Sequence, residues 1–354
     1  MNKDFSVYNF LEHLAEICST TGYEAQAQKY IYDQVKHRAD RVITDTIGNL
    51  CLVINDSNKP GVLLCAHIDE IGYFVKHIDD NGFIYLTGGY GAYANPILSE
   101  HVKIFGKNGV TYGIVGVKLD KGKKDDKKEL GFEDIWVDIG AADKEEAEKY
   151  VALGDVVTVD KGPLRLLNNR ISARSLDDKM GVLALVMTML KLDADKLDVP
   201  VYCLFSAQEE SGFRGIRSFM TNKIRIKAGL SLDVGSTSDI PKSNKVLQGN
   251  LALGDGPILS RGPNNNPKLH CLIEETAKQH NIPYQLRAIP RPSPVDANII
   301  QVSGDIAAGQ IDVPIRYMHH QSEVCALDDL HKTVDLLTNL LYSISDDIRF
   351  QLEV

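Results

Sequence analysis

Long apolar runs are missing from this chain. The longest, near Val182 to Leu190, falls far short of the roughly 20 residues that a membrane-spanning helix needs, so no membrane partner is expected. A basic surplus is missing too. Lysine and arginine total 39 against 48 aspartate and glutamate, for a net charge of -9, which argues against nucleic acid, whose phosphates need a basic face. Cysteine is sparse: Cys18, Cys51, Cys65, Cys203, Cys271 and Cys325 are scattered without CxxC spacing, mostly inside apolar runs. They read as buried reduced thiols, which excludes a disulfide scaffold or a zinc knuckle and makes a thiol nucleophile unexpected. The amino end carries Asp4 early and runs into an amphipathic segment, without the pattern of a signal peptide. A cytoplasmic protein is expected. No internal repeat is present.

What remains is ordinary globular composition, 44% hydrophobic and 25% charged, over 354 residues, which is enough chain for a large core and two domains. Phe10, Leu11, Leu14 and Ile17, then Ala27, Ile31 and Val35, recur at helical spacing. Arg41 to Asp45, Asn49 to Ile54 and Gly61 to Ala66 have strand composition, and the third runs into His67-Ile68-Asp69-Glu70. From about Tyr73 to Val159 short β runs alternate with turns, interrupted by one helix near Lys144 to Ala152 and by a Lys- and Asp-rich surface loop, Lys118 to Glu129. Many closely spaced strands predict a small barrel inserted into an α/β domain. Helices are then predicted over Val182 to Leu192, Pro267 to His280 and Ala326 to Ile344, and buried strands over Val199 to Phe205 and Ala228 to Leu232. The expected fold is α/β, a mixed central sheet flanked by helices with an inserted small β-barrel: a catalytic domain over 1–70 and 163–354, and an insert over 71–162.

Five elements end in a metal-binding side chain: His67, Asp177 or Asp178, Glu209 or Glu210, Asp233, and His319 or His320. Each alone has a bland explanation, since an Asp before a helix usually caps it and paired glutamates are usually solvated. Their joint occurrence at the ends of strands and loops of one α/β sheet points to a ligand site beyond the carboxyl ends of the strands. Two imidazoles with three carboxylates suit zinc, cobalt or manganese better than calcium. Five ligands are too many for one open tetrahedral site and suffice for two ions if one carboxylate bridges them, the arrangement used in metal-assisted hydrolysis. A further unligated carboxylate must then move the proton of the attacking water. An Asp two residues after His67 is placed to orient the imidazole from behind.

His67-Ile68-Asp69-Glu70-Ile71-Gly72, Ser175-Leu176-Asp177-Asp178-Lys179, Gln208-Glu209-Glu210-Ser211-Gly212, Leu230-Ser231-Leu232-Asp233 and Pro314-Ile315-Arg316-Tyr317-Met318-His319 together resemble the tetrahedral (TET) aminopeptidases, the glutamyl and deblocking family of dinuclear zinc exopeptidases. The order is the family's, and Asp138-Ile139-Gly140-Ala141, Gly254-Asp255-Gly256-Pro257 and Val295-Asp296-Ala297 extend the match almost end to end. The resemblance implies that Asp177 bridges two metal ions. His67 and Asp233 would complete one, Glu210 and His319 the other. Glu209 would be the general base and acid, and Asp69 the partner of His67. It further implies a cis Asp177–Asp178 peptide, peptide substrates, an insert that serves dimerisation, and dimers that assemble into a hollow dodecamer. The insert lacks the family's Pro-Pro-His run, and the Lys-rich loop stands in its place.

Three activities fit such a scaffold. The first is an aminopeptidase acting on short peptides. The second is a carboxypeptidase or aminoacylase, which needs a cation for a substrate carboxylate, with Arg261, Arg287 and Arg291 as candidates. The third is a non-catalytic binding or assembly protein.

Overall fold

The structure is a computed structural model and describes residues 5–89, 91–94, 97–117 and 130–352. The Lys-rich run 118–129, read above as a surface loop, lies outside the described residues. From the amino end, α1 (Val7–Glu16) and α2 (Ala25–Val35) precede β1 (Arg41–Thr44), β2 (Leu50–Ile54) and β3 (Gly61–His67). There follow β4 (Tyr73–Ile78), β5 (Ile84–Gly88), β6 (His101–Gly106), β7 (Gly109–Val117), β8 (Ile135–Asp138), the short α3 (Lys144–Ala147) and β9 (Val156–Val159). Next come β10 (Leu164–Leu166), β11 (Arg170–Ala173), α4 (Leu176–Lys191), β12 (Val201–Ser206), α5 (Arg214–Phe219) and β13 (Ile226–Ser236). The chain closes through α6 (Lys245–Gln248), β14 (Ile258–Arg261), α7 (Pro267–Gln279), β15 (Gln285–Ala288), α8 (Ala297–Val302), β16 (Ala307–Arg316), β17 (Glu323–Ala326) and α9 (Leu327–Ser343).

Among the described residues, one mixed 11-stranded sheet runs β1-β2-β12-β3-β13-β16-β17-β11-β10, with β14 beside β16 and β15 beside β14. A separate closed barrel takes the order β4-β5-β8-β7-β6-β9. The fold is thus the mixed α/β sheet with an inserted small barrel that the residue pattern predicts. At the centre of the sheet, β12, β3, β13 and β16 are parallel, so their carboxyl ends open on one edge.

Strands buried on both faces need apolar residues at odd and even positions alike, because successive side chains point opposite ways. Leu50, Leu52, Ile54, Val62, Leu64, Val201, Cys203 and Phe205 join one core, in which α4 packs on β3, β13 and α9. Cys51, Val53, Leu63, Cys65, Tyr202 and Leu204 face a second core with Ile216, Phe219, Ile299 and Ile300. Each fully buried side chain of this size contributes about 1.5–3 kcal/mol. The barrel has its own core of Tyr73, Val75, Ile84, Val102, Ile104, Val115, Val137 and Val157. Local signals agree with the burial. Ser6 caps α1 by accepting the Asn9 N–H, and Asn266 caps α7, with Pro267 at its first position.

Some boundaries move. The helix expected over Val182 to Leu192 begins at Leu176, because its first turn is built from the Asp177-Asp178 pair rather than from apolar residues. The helix expected over Lys144 to Ala152 ends at Ala147. No helix among the described residues is long and apolar enough to cross a membrane.

The barrel is tied to the sheet by a buried ion cluster. Arg174 donates from Nε and Nη2 to the two oxygens of Glu70, at 3.0 and 3.1 Å, and from Nη1 to the Val159 carbonyl of β9 at 2.6 Å. Lys179 Nζ adds a third contact to Glu70 at 2.6 Å. Burial would raise the Glu70 carboxyl, but the Arg174 and Lys179 charges overcome it and hold the group well below the usual carboxylate range. A depressed pKa stabilises the fold above the unfolded value of roughly 4.3, and that stabilisation is lost as pH falls towards the folded value. Glu70→Gln leaves two buried cations opposite a neutral amide and is expected to cost about 3–5 kcal/mol at pH 7. Urea denaturation of both proteins measures it, and the difference should narrow in acid below about pH 4.

Candidate metal centre

His67 is the last residue of β3 and is buried. Its Nδ1 lies 3.1 Å from the Asp69 backbone carbonyl, which accepts only if that nitrogen carries the proton. Nε2 faces Asp177 Oδ1, 3.2 Å away, and although burial opposes it, the Glu209, Asp177 and Asp69 carboxylates push the ring's pKa well above its usual value. The Asp69 carboxylate lies 3.5 Å from Nδ1 and has closer partners. Its Oδ1 accepts the Glu209 N–H at 2.8 Å, and its Oδ2 accepts the Glu210 N–H at 3.2 Å and the Thr21 hydroxyl at 2.8 Å. The main chain of Asp69 therefore orients the imidazole, while its side chain fixes the glutamate pair.

The Asp177–Asp178 peptide is cis, and the two carboxylates part company. Asp177 divides its oxygens between two imidazoles: Oδ1 faces His67 Nε2, and Oδ2 lies 3.3 Å from His319 Nε2. Asp178 turns inward, accepting the His67 N–H at 3.2 Å and the Gly181 N–H at 2.9 Å. It caps the first turn of α4 and points at neither imidazole ring nitrogen. Gly181 is required beside it, because a Cβ there would run into both Asp178 oxygens.

Beyond β12 the chain turns through Gln208 at φ 56°. Glu24 Oε1 holds that turn by accepting the N–H groups of Gly22 and Gln208. Asp233 sits inside β13, which continues to Ser236, and not at the strand end expected from the apolar run. Pairing with β16 carries the strand on through Asp233↔Asp312 to Ser236↔Ile315. His319 follows β16 on a turn with positive φ at Tyr317 and His319. Ligand atoms of His67, Asp177 and Asp233 lie within 4.8 Å of one another, as do those of Asp177, Glu210 and His319, and those of His67, Glu209 and Glu210. His320 is exposed and makes its contact with the Met318 carbonyl. All seven side chains proposed from the sequence thus meet in one place. Glu24, Thr21, Asp296 and Glu323 are also there, and no spacing rule marks them. Asp296 braces the strand ends, accepting from Cys65 Sγ and Ser206 Oγ at 2.9 and 2.7 Å.

The electrostatics of the cluster are those of crowded acids. Burial pushes the Glu209 carboxyl well up, with Asp296, Asp233 and Glu210 adding to it against the opposing His67. Burial and the Asp177 charge lift Glu210 to about 7 and raise Asp233 strongly. Asp177 moves the other way. Its burial is outweighed by the two imidazoles, and its contact lifts His319 to about 9. Carboxylates that repel one another out of water, with two imidazoles set among them, form a donor set suited to divalent cations. A cleft of about 1130 Å³ opens at the other end of the parallel strands beside Lys59, Arg225 and Lys227 and is lined by none of these side chains.

The sequence matches the profile of the M42 glutamyl aminopeptidases over residues 48–336. The chain belongs to the M42 glutamyl aminopeptidase family. M42 members are metal-dependent hydrolases of the aminopeptidase class, and this chain is of the TET type. It is 32% identical to the lysyl aminopeptidase of Pyrococcus furiosus, across 94% of this chain and 96% of that one. Its fold is similar to that of an aminopeptidase from Desulfurococcus kamchatkensis, with a TM-score of 0.89 and 28% identity over 96% and 95% of the two chains. The TET1 peptidase of Pyrococcus horikoshii, described as assembling into a tetrahedron or a large octahedral shell, has a TM-score of 0.85 and 27% identity over 96% of this chain and 100% of that one.

The Asp178–Gly181 contact can be checked directly. A Gly→Ala change inside a helix normally gains about 1 kcal/mol. Gly181→Ala should reverse that sign and destabilise by about 1–3 kcal/mol, as an overpacked site does, and thermal unfolding reads the direction.

Proposed function

We propose that this M42 member removes the N-terminal residue of short peptides at a centre of two divalent ions, zinc in first place, with cobalt or manganese able to occupy the same ligands. Asp177 bridges. His67 and Asp233 complete one site, and Glu210 and His319 the other. The observation that carries this reading is the division of Asp177, with one oxygen at 3.2 Å from His67 and the other at 3.3 Å from His319. The ions would polarise the scissile carbonyl and ease deprotonation of water. Glu209 ligates neither ion in this assignment. Its carboxylate takes the proton of the attacking water and returns it to the leaving amine as the C–N bond breaks. Asp69, through the Glu209 N–H, holds that carboxylate's backbone in place. Six unpaired thiols, five of them buried, fit a reducing, cytoplasmic setting.

The carboxypeptidase or aminoacylase reading needs an unspent cation near the centre. Arg261 is bonded to Glu274, and Arg287 to Asp312 and Ser260, so both charges are already answered within the chain. Arg291, the third candidate, is exposed, so the preference for aminopeptidase action rests on the family match. Side-chain preference is open to a substrate panel, since the family is named for glutamate and the Pyrococcus furiosus relative for lysine.

Glu209→Gln should keep its metal, measured by elemental analysis, and lose kcat by on the order of 100- to 10,000-fold with KM little changed. Aminoacyl substrates with free amines should turn over while N-acylated ones do not, and a chelator should abolish the activity. Near-native turnover by the variant would remove Glu209 from its role, and activity after complete metal removal would defeat the whole assignment.

We further propose that the barrel is a dimerisation element and that the protein is a homo-oligomer, possible as a closed shell because the Pyrococcus horikoshii relative forms one. The outward face of β7 supports this. Val110, Tyr112 and Ile114 are 43%, 61% and 51% exposed, an apolar strip alternating with the inward Gly113 and Val115. Tyr112→Glu with Ile114→Glu should shift the mass in light scattering towards the monomer.

A further inference from the structure

Glu323 lies four residues beyond His319, at the start of β17, and is 1% exposed. Its carboxylate touches no imidazole nitrogen among its recorded hydrogen bonds. Oε2 accepts the N–H of Asp177 at 2.9 Å, and Oε1 accepts the N–H of His319 at 2.7 Å. Asp177 and His319 lie 142 positions apart in the chain, on the first turn of α4 and on the turn after β16. One side chain accepts the amides of both turns. β17 pairs with β11 on one side, with Ala173↔Glu323, and with β16 on the other, so Glu323 is seated on the two strands that feed those turns.

We propose that Glu323 is a positioning residue for the metal centre, acting through the backbone of Asp177 and His319 to hold the ligand set of Asp177, Glu210 and His319. The inference rests on the two-ion reading above and adds an asymmetry to it. His67 and Asp233 take their positions from β3 and β13, and Asp178 and Asp69 hold the His67 main chain and ring. Glu323 touches neither. Its loss should therefore disturb two ligands of the ion on the His319 side, Asp177 and His319, but only the shared Asp177 of the other, and so weaken the first more.

Two substitutions probe this. Glu323→Gln keeps the length but turns an NH2 group towards one of two N–H donors, so one of the hydrogen bonds is lost. Glu323→Asp keeps the charge but is one methylene too short to reach both amides. Asp329→Asn is the control for stability alone, because Asp329 is also buried and accepts two amides, those of Gly254 and Gly256 at 2.6 and 2.8 Å, away from the centre. The measurement is calorimetric titration of the metal-stripped full chain with zinc, accompanied by thermal unfolding and by kcat and KM.

The native chain should bind two ions. Either Glu323 variant should lose affinity for one ion by about 10- to 100-fold while the other changes by less than about threefold, with kcat falling more than KM rises. Asp329→Asn should lower the unfolding temperature and leave both affinities as they are. Two ions bound natively by a Glu323 variant, or both weakened equally with the Asp329 variant doing the same, overturns the positioning role and leaves the two-ion reading standing. A native chain that binds fewer than two ions overturns both.

Discussion

Carboxyl groups crowd the carboxyl ends of four parallel strands, out of water and within reach of one another, and their mutual repulsion is the constraint that the rest of the site answers. Two kinds of answer are visible. Asp69, Asp178, Glu24 and Glu323 each accept two backbone N–H groups: Glu209 and Glu210, His67 and Gly181, Gly22 and Gln208, Asp177 and His319. These amide bonds favour the charged form, but burial outweighs them at Glu24, Asp178 and Glu323 and raises all three. Asp177, Glu209, Glu210 and Asp233 have no such amide pair among their recorded bonds; Asp233 has only its neighbour Val234. By hydrogen-bond partner the acids thus fall into those that brace main-chain amides and those that face imidazoles and one another. The sorting falls along the line between positioning and proposed metal-holding groups.

That sorting depends on the fold at a distance. Parallel strands β12, β3, β13 and β16 bring their ends together because both of their faces are apolar and covered by helices. The barrel strands begin shortly after Glu70 and end at Val159, and Arg174, just past β11 of the sheet, bonds both Glu70 and the Val159 carbonyl, with Lys179 completing the cluster. Gly91, in the barrel segment, comes so near the site that a Cβ there would stand 3.5 Å from His319 Nδ1. The inserted domain therefore forms part of the wall of the pocket, as well as offering a surface elsewhere.

Much of this was legible in the residues. His67 and the Glu209–Glu210 pair follow apolar runs whose strand character is plain, and the strand ends of an open α/β sheet are where ligands sit. The barrel was legible from its short β runs. Spacing alone could not separate Asp177 from Asp178, since both suit a helix start. The difference lies in which amides each one meets, and the His67 amide is 111 positions from Asp178. Glu323 and Glu24 were invisible for the same reason: a carboxylate that binds distant N–H groups leaves no periodicity in its own neighbourhood. Asp233 was found by its residue type but placed at a strand end, because the apolar run breaks at the acid while the hydrogen-bond ladder continues. β14 and β15 have four residues each, β14 largely buried and β15 half-exposed, too short to show the alternation that marks a strand.

The division of Asp177 follows from these constraints taken together. Its amide is held by Glu323, its neighbour Asp178 is committed to His67 and Gly181, and the backbone at both residues is non-helical. One carboxylate is left at the mouth of the helix, where the N-terminal dipole favours negative charge, with an imidazole on each side. A cation on either side of that carboxylate would relieve the burial that lifts Glu210 and Asp233, so binding and folding are linked: a ligand that favours the native state stabilises it by mass action. The same burial keeps Glu209 protonatable, as its proposed part in accepting and returning a proton requires. The repulsion that makes the pocket costly to fold is thus what suits its acids to two different tasks.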